Sequence, residues 1–149
     1  MSAGDPRADF HAAWREADAV YETYARNVGW SYAALHVLSI VHEHELAAKP
    51  CTQAELVRRT HAPKQTVSSV VAGLRRDGLV TLAALDSDRR SKAIELTDTG
   101  RTEAEHLAAP IARAEAEAFG SLSGRERTAL ATAMRHYQEA LATALLASS

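Results

Sequence analysis

Two short helical segments in tandem, followed at once by a change of period, constrain this chain more than any other feature. Thr52-Gln53-Ala54-Glu55 reads as a capping box: the threonine hydroxyl accepts from the first turn and the glutamate reaches back. It opens a helix to about residue 60, His61-Ala62 makes a turn, and Pro63 suits the first position of the next helix. That second helix runs to Asp77 and stops at Gly78, a natural left-handed cap. Residues 79–85 then read as a strand, 86–92 as a polar loop and 93–96 as a returning strand. Helix, turn, helix and a β-hairpin with a cationic tip form a winged helix-turn-helix pattern.

The remainder is helical. Larger side chains recur at helical spacing over 9–26, a break falls at Asn27-Val28-Gly29, and Ser31 caps a helix over about 32–45. Leu35, Leu38 and Val41 face inward on that helix, and residues 46–50 read as a loop. Thr97 caps a long helix over about 98–119 that Pro110 should kink, with Gly120 ending it. Ser123-Gly124-Arg125-Glu126 is a second capping box, and the helix it opens carries Leu130, Met134, Tyr137, Leu141 and Leu145 on one face. With 46% hydrophobic but only 5% aromatic residues, the core must be aliphatic, which suits helices. The expected fold is mainly α with a small β-hairpin wing. The chain reads as a single domain over 1–149, with a DNA-binding head over 31–97 and dimerisation helices over 8–30 and 98–149.

A net charge of −2 is a poor advertisement for nucleic acid, but its distribution is not even. Residues 51–100 hold eight Lys and Arg against six Asp and Glu, whereas the flanks hold nine against thirteen. Wound at about 100° per residue, the helix after Pro63 gathers Val67, Val70, Val71 and Leu74 on one side. Gln65, Ser68, Ser69 and Ala72 fall on or beside the opposite face, where they are expected to read bases. Lys64, Thr66, Arg75 and Arg76, with Arg89, Arg90 and Lys92 of the wing, are expected to hold the DNA backbone. A plain solvated face also carries Lys, Ser and Gln; paired arginines on a hairpin tip decide for double-stranded DNA. Asp88 is expected to orient Arg90.

Gln53-x-x-Leu56, Thr66-Val67, Leu74-x-x-x-Gly78-Leu79-Val80, Asp88-Arg89-Arg90 and Leu96-Thr97-x-x-Gly100 together resemble the MarR family of bacterial transcriptional regulators. The resemblance implies a homodimer with interlocking terminal helices, two heads on a pseudo-palindromic operator, and release by a small ligand, often an aromatic acid. Thr81 departs from the arginine that many members carry after Gly-Leu-Val, and Cys51 lies outside the first helix, where oxidation sensors place theirs.

Phe10, Trp14 and Tyr21, with Leu130, Met134, Tyr137, Leu141 and Leu145, are the expected dimer interface. Tyr24, Trp30, Tyr32 and His36 line a ligand pocket or else pack the core and dimer seam, and His106 faces the same choice. His42 and His44 stand two apart and point to different sides, so they do not chelate as an i, i+4 pair would, and no metal site is expected. No phosphate loop or nucleophile elbow occurs, so neither an enzyme nor a cofactor is expected. The competing reading is a winged-helix module for protein contacts, which has no need of wing arginines. The single cysteine excludes an intrachain disulfide. Without a membrane-length apolar run or a leader pattern over residues 1–9, a cytoplasmic protein is expected.

Overall fold

The computed structural model describes residues 4–86 and 88–147, with the side chains of Asp88 and Arg89 outside the described set. In order come α1 (Pro6–Asn27), α2 (Tyr32–Leu46), α3 (Gln53–Thr60), α4 (Lys64–Arg76), β1 (Val80–Leu85), β2 (Asp88–Leu96), α5 (Asp98–Gly120) and α6 (Gly124–Leu146). This is the expected fold class, mainly helical with one antiparallel hairpin. The chain divides into two compact units, Met1–Ala109 and Pro110–Ser149, so α1 groups with the head. The boundary falls at Pro110, inside α5, where the ring removes one backbone donor.

Local chemistry explains most element ends. α1 starts earlier than residue 9 because the Asp5 carboxylate accepts from the Arg7 amide at 3.0 Å and Pro6 fills the first turn. Ser31 Oγ accepts from the Ala34 amide at 3.2 Å, and Gly29 takes φ +80° in the corner before it. Only half of the expected box at α3 forms. Thr52 Oγ1 accepts from the Glu55 amide at 3.2 Å, but the Glu55 carboxylate turns to Arg58 and His44. Charge-assisted pairing with a neighbouring cation is stronger than a hydrogen bond from a neutral backbone amide. The box at α6 is complete, with Ser123 and Glu126 each serving the other. Pro63 precedes α4 as its extended N-cap, one residue earlier than expected, and Gly78 at φ +74° follows its end.

The wing departs from its expected shape. The register runs from Val80↔Leu96 to Ala84↔Lys92 and then jumps to Leu85↔Asp88. Arg89, Arg90 and Ser91 therefore form a bulge within β2 instead of a polar loop. A strand signal in 88–92 is hidden because five polar or charged residues in a row show no alternation. On its other side β2 receives Cys51 and Thr52: Ile94 donates to the Cys51 carbonyl at 2.7 Å and Thr52 bridges Ala93.

The head closes over an aliphatic core in which Leu38, Ile40, Val41, Leu56, Val67 and Val80 are at most 2% exposed. Truncating any of these leucines to alanine removes about 2–5 kcal/mol. At the α4–β1 corner, Thr97 Oγ1 donates to the Gly78 carbonyl (2.7 Å) and accepts from the Gly100 amide (2.9 Å). The Thr97 amide reaches the Leu79 carbonyl at 3.0 Å. α5 thus starts pressed against that corner, with Gly100 buried.

Candidate nucleic-acid interface

The hydrophobic stripe of α4 orients it. Val67, Val71 and Leu74 are buried and Val70 half-buried, which leaves Gln65, Ser68, Ser69 and Ala72 exposed with Lys64, Thr66, Arg75 and Arg76. The side chains on this face are small, amide, hydroxyl or cationic. Its first acidic group is Asp77, whose carboxylate lies 3.9 Å from Arg76 Nε. Four short side chains let the helix backbone approach a base edge closely, and Gln65 can then make a bidentate contact.

Beside the start of α4 runs a groove of about 620 Å³, with the bulged segment of β2 as its far wall. Lys64, Arg90 and Lys92 lie along it, together with Gln53, Ala54 and Ser91, and none of the described lining residues is acidic. A groove that brings three cations together suits a phosphate backbone. Gln53 and Ser91 are site residues that sequence reasoning did not single out. Ser91 enters only through the bulge, and Gln53 through the approach of α3 to the wing. The side chain of Arg89 lies outside the described residues, as does that of Asp88, its neighbour's expected partner.

Two arginines of the basic middle are occupied elsewhere. Arg58 pairs with Glu55, and Arg59 Nη2 lies 2.6 Å from Glu43. They tie down α3 and its contact with α2 and add little to the groove's charge.

Residues 29–91, spanning the corner before α2 through the wing, match the MarR family. Over 87 residues the chain is 34% identical to the HTH-type transcriptional repressor NicR of Pseudomonas putida, covering 58% of this chain and 54% of that protein. The chain is thus similar to the MarR family over its head. It spans about half the length of this curated relative. The solved structure of S. aureus MepR in its DNA-binding conformation matches with a TM-score of 0.77 at 19% identity, covering 92% of this chain and 98% of that one. Bordetella bronchiseptica BpsR, whose structure concerns regulation of DNA binding by 6-hydroxynicotinic acid, matches at 0.69 and 20% identity, covering 93% and 96%. At such identities the likeness is one of fold, here a winged helix.

Of the four residues expected at a ligand pocket, Trp30 lines a cleft of about 640 Å³ with residues of α2, α4 and α5, and that lining includes none of Tyr24, Tyr32 and His36. The Tyr24 hydroxyl donates to the Leu107 carbonyl at 3.0 Å, joining α1 to α5. Tyr32 stacks on His36 with centroids 5.5 Å apart and lies 5.8 Å from Tyr21. The Trp30 amide donates to the Ala25 carbonyl at 2.8 Å, tying the corner after α1 back to that helix. His106 is exposed on α5.

His44 has both ring nitrogens engaged, Nδ1 2.9 Å from the Ile40 carbonyl and Nε2 3.4 Å from Glu55. Cys51 is 2% exposed, and burial, reinforced by the Glu55 charge, pushes its thiol up to about 11. A neutral, enclosed thiol is a poor oxidation sensor.

The expected dimer residues are on the surface or close to it. Phe10 meets Trp14 edge-on at 5.6 Å, and Trp14 is 44% exposed. Along α6, Leu130, Leu141 and Leu145 are exposed and Met134 and Tyr137 partly so; no residue of this helix is buried.

Paired carboxylates give the protein an acid limit. Arg101 bridges Glu45, at the end of α2, and Asp98, which holds Glu45 below its ordinary value; hydrogen bonds from Arg58 hold Glu55 at about 2. Carboxylates depressed in the folded state add stability that is complete above their unfolded pKa and is lost as pH falls through the folded one. Urea midpoints are expected to fall from about pH 4.5 towards 2, and less steeply in Glu55→Gln. A variant that follows the wild-type profile would exclude Glu55 as a source of the decline.

Proposed function

We propose that this chain is a sequence-specific DNA-binding transcriptional regulator, a repressor, acting as a cytoplasmic homodimer on a pseudo-palindromic operator and having no enzymatic activity. The observation that carries the reading is the outward face of α4, with Gln65, Ser68, Ser69 and Ala72 exposed, beside a groove walled by Lys64, Arg90 and Lys92. Base-edge chemistry and phosphate chemistry lie side by side at the spacing of one helix and one wing. The repressor sense follows NicR, a transcriptional repressor, and the DNA reading agrees with MepR having been solved in complex with DNA. Two heads related by a dimer axis need half-sites about one helical turn, ~10 bp, apart. Control by a small ligand is part of the proposal, and the Trp30 cleft is its place, because Ser69, Gly73 and Asp77 of α4 form one of its walls.

Genome-wide selection of fragments bound by the purified protein supplies the operator, and salt titrations on operator and scrambled DNA then separate the roles. Gln65→Ala is expected to cost about 1–3 kcal/mol on the operator and little on scrambled DNA. Arg90→Ala is expected to weaken both and to lower the salt slope by about one. Should Gln65→Ala hurt both DNAs equally while Arg90→Ala hurts neither, α4 does not present this face to the groove.

A further inference from the structure

We propose that the Trp30 cleft binds an aromatic or amphipathic cation rather than an aromatic acid. This rests on the ligand-control reading above and names the chemistry of that site. The cleft, about 640 Å³, lies where the α1–α2 corner, the second half of α4 and the first turns of α5 meet. Its floor is apolar, with Val70, Leu74 and Leu79, and Trp30 supplies one aromatic wall. Among the described residues its ionisable lining groups are Asp77 and Glu103, and Ser31, Ser69 and Thr99 add hydroxyls. No Lys, Arg or His is among the described lining residues.

Carboxylates beside an indole select for positive charge. A cation gains Coulomb attraction to the carboxylates and the favourable face of tryptophan, the best of the aromatic partners. A carboxylate ligand would meet two like charges in a site with no cation of its own. Two features oppose this and both are weak. Arg76 stands at the rim, 3.9 Å from Asp77, but its side chain is 79% exposed, so the pair is screened by water. The starts of α2 and α5 also face the region, yet the Ala34 and Gly100 amides are already taken by the Ser31 and Thr97 hydroxyls. What remains of their partial charges is smaller than a full carboxylate, and the end of α4 adds partial negative charge.

The same cleft offers a route to control. Ser69 lies both in its lining and on the face of α4 proposed to read bases. An occupant that braces α4 against α5 and the α1–α2 corner favours one placement of the reading helix, so DNA and cation alter each other's affinity by the same factor.

The test titrates the wild-type protein with benzyltrimethylammonium, benzyl alcohol and benzoate, following tryptophan fluorescence, with DNA affinity measured separately on selected fragments. The cation is expected to give a saturable change, at least about tenfold tighter than benzyl alcohol, and benzoate none. The change should vanish in Trp30→Leu. Glu103→Gln, a near-isosteric change on a part-exposed helix position, should weaken the cation by about fivefold while leaving benzyl alcohol unchanged. Benzoate binding as tightly as the cation overturns the proposal, and so does full cation affinity in a folded Glu103→Gln protein. Absence of salt-dependent DNA binding would instead remove the regulator reading, with the fluorescence titration still reporting the cation site.

Discussion

Gly100→Ala is expected to destabilise the protein by about 3 kcal/mol or more, although alanine in a helix normally gains about 1 kcal/mol over glycine. A Cβ at this position would stand 1.8 Å from the Leu79 carbonyl oxygen and 2.7 Å from its carbon. Both atoms are backbone, so no side chain can swing aside. Relief requires α5 to move off the α4–β1 corner, which lengthens the Thr97 contacts to the Gly78 and Leu79 carbonyls. The loss combines overpacking with two weakened hydrogen bonds, a large share of a typical 5–15 kcal/mol total. Gly73→Ala provides the control: its Cβ meets only the far end of Arg76, at 3.5 Å, and should hold or raise stability. Urea unfolding followed by circular dichroism at fixed protein concentration compares the two. A Gly100→Ala midpoint equal to or above that of Gly73→Ala would falsify the close approach.

The second large effect is expected on assembly. Leu130, Met134, Tyr137, Leu141 and Leu145 fall within about 80° of arc on α6 at 100° per residue. Leu141 and Leu145 are 42% and 63% exposed in a 23-residue helix that buries none of its own residues. Since each is already about half covered, a partner that buries what remains gains about 1.5–3 kcal/mol per protomer. Replacing both with glutamate forfeits that gain and sets like charges near the dimer axis. The double variant is expected to sediment as a monomer at micromolar concentration. A lone head has no tethered twin to rebind the second half-site, so operator affinity should fall by about 10²–10⁴. A wild-type chain that sediments as a folded monomer, or a double variant that stays dimeric with full affinity, rejects this interface.

What residues within one turn of each other settle was legible in the sequence. Ser31, Gly78 and Ser123 mark helix ends because caps act over three or four residues. The α4 core stripe at Val67, Val71 and Leu74 follows from the helical period alone, and with it the exposure of Gln65 and Ser69. The MarR resemblance rested on spacings of the same kind. Gly100 was legible as part of a motif, but its reason was not, since the atom it must avoid belongs to Leu79 and is brought there by packing.

Only tertiary structure decided the rest. It joined Cys51 and Thr52 to β2, folded Arg90 and Ser91 into a bulge facing Lys64, and withdrew Arg59 into an ion pair with Glu43. It also brought Trp30, Asp77 and Glu103 to one cleft and stacked Tyr32 on His36. Caps and periods act along the chain and leave their mark in neighbouring residues. Contacts between distant residues depend on how whole elements pack, and burial of apolar surface, which drives that packing, is non-directional and does not itself say which polar side chains will meet.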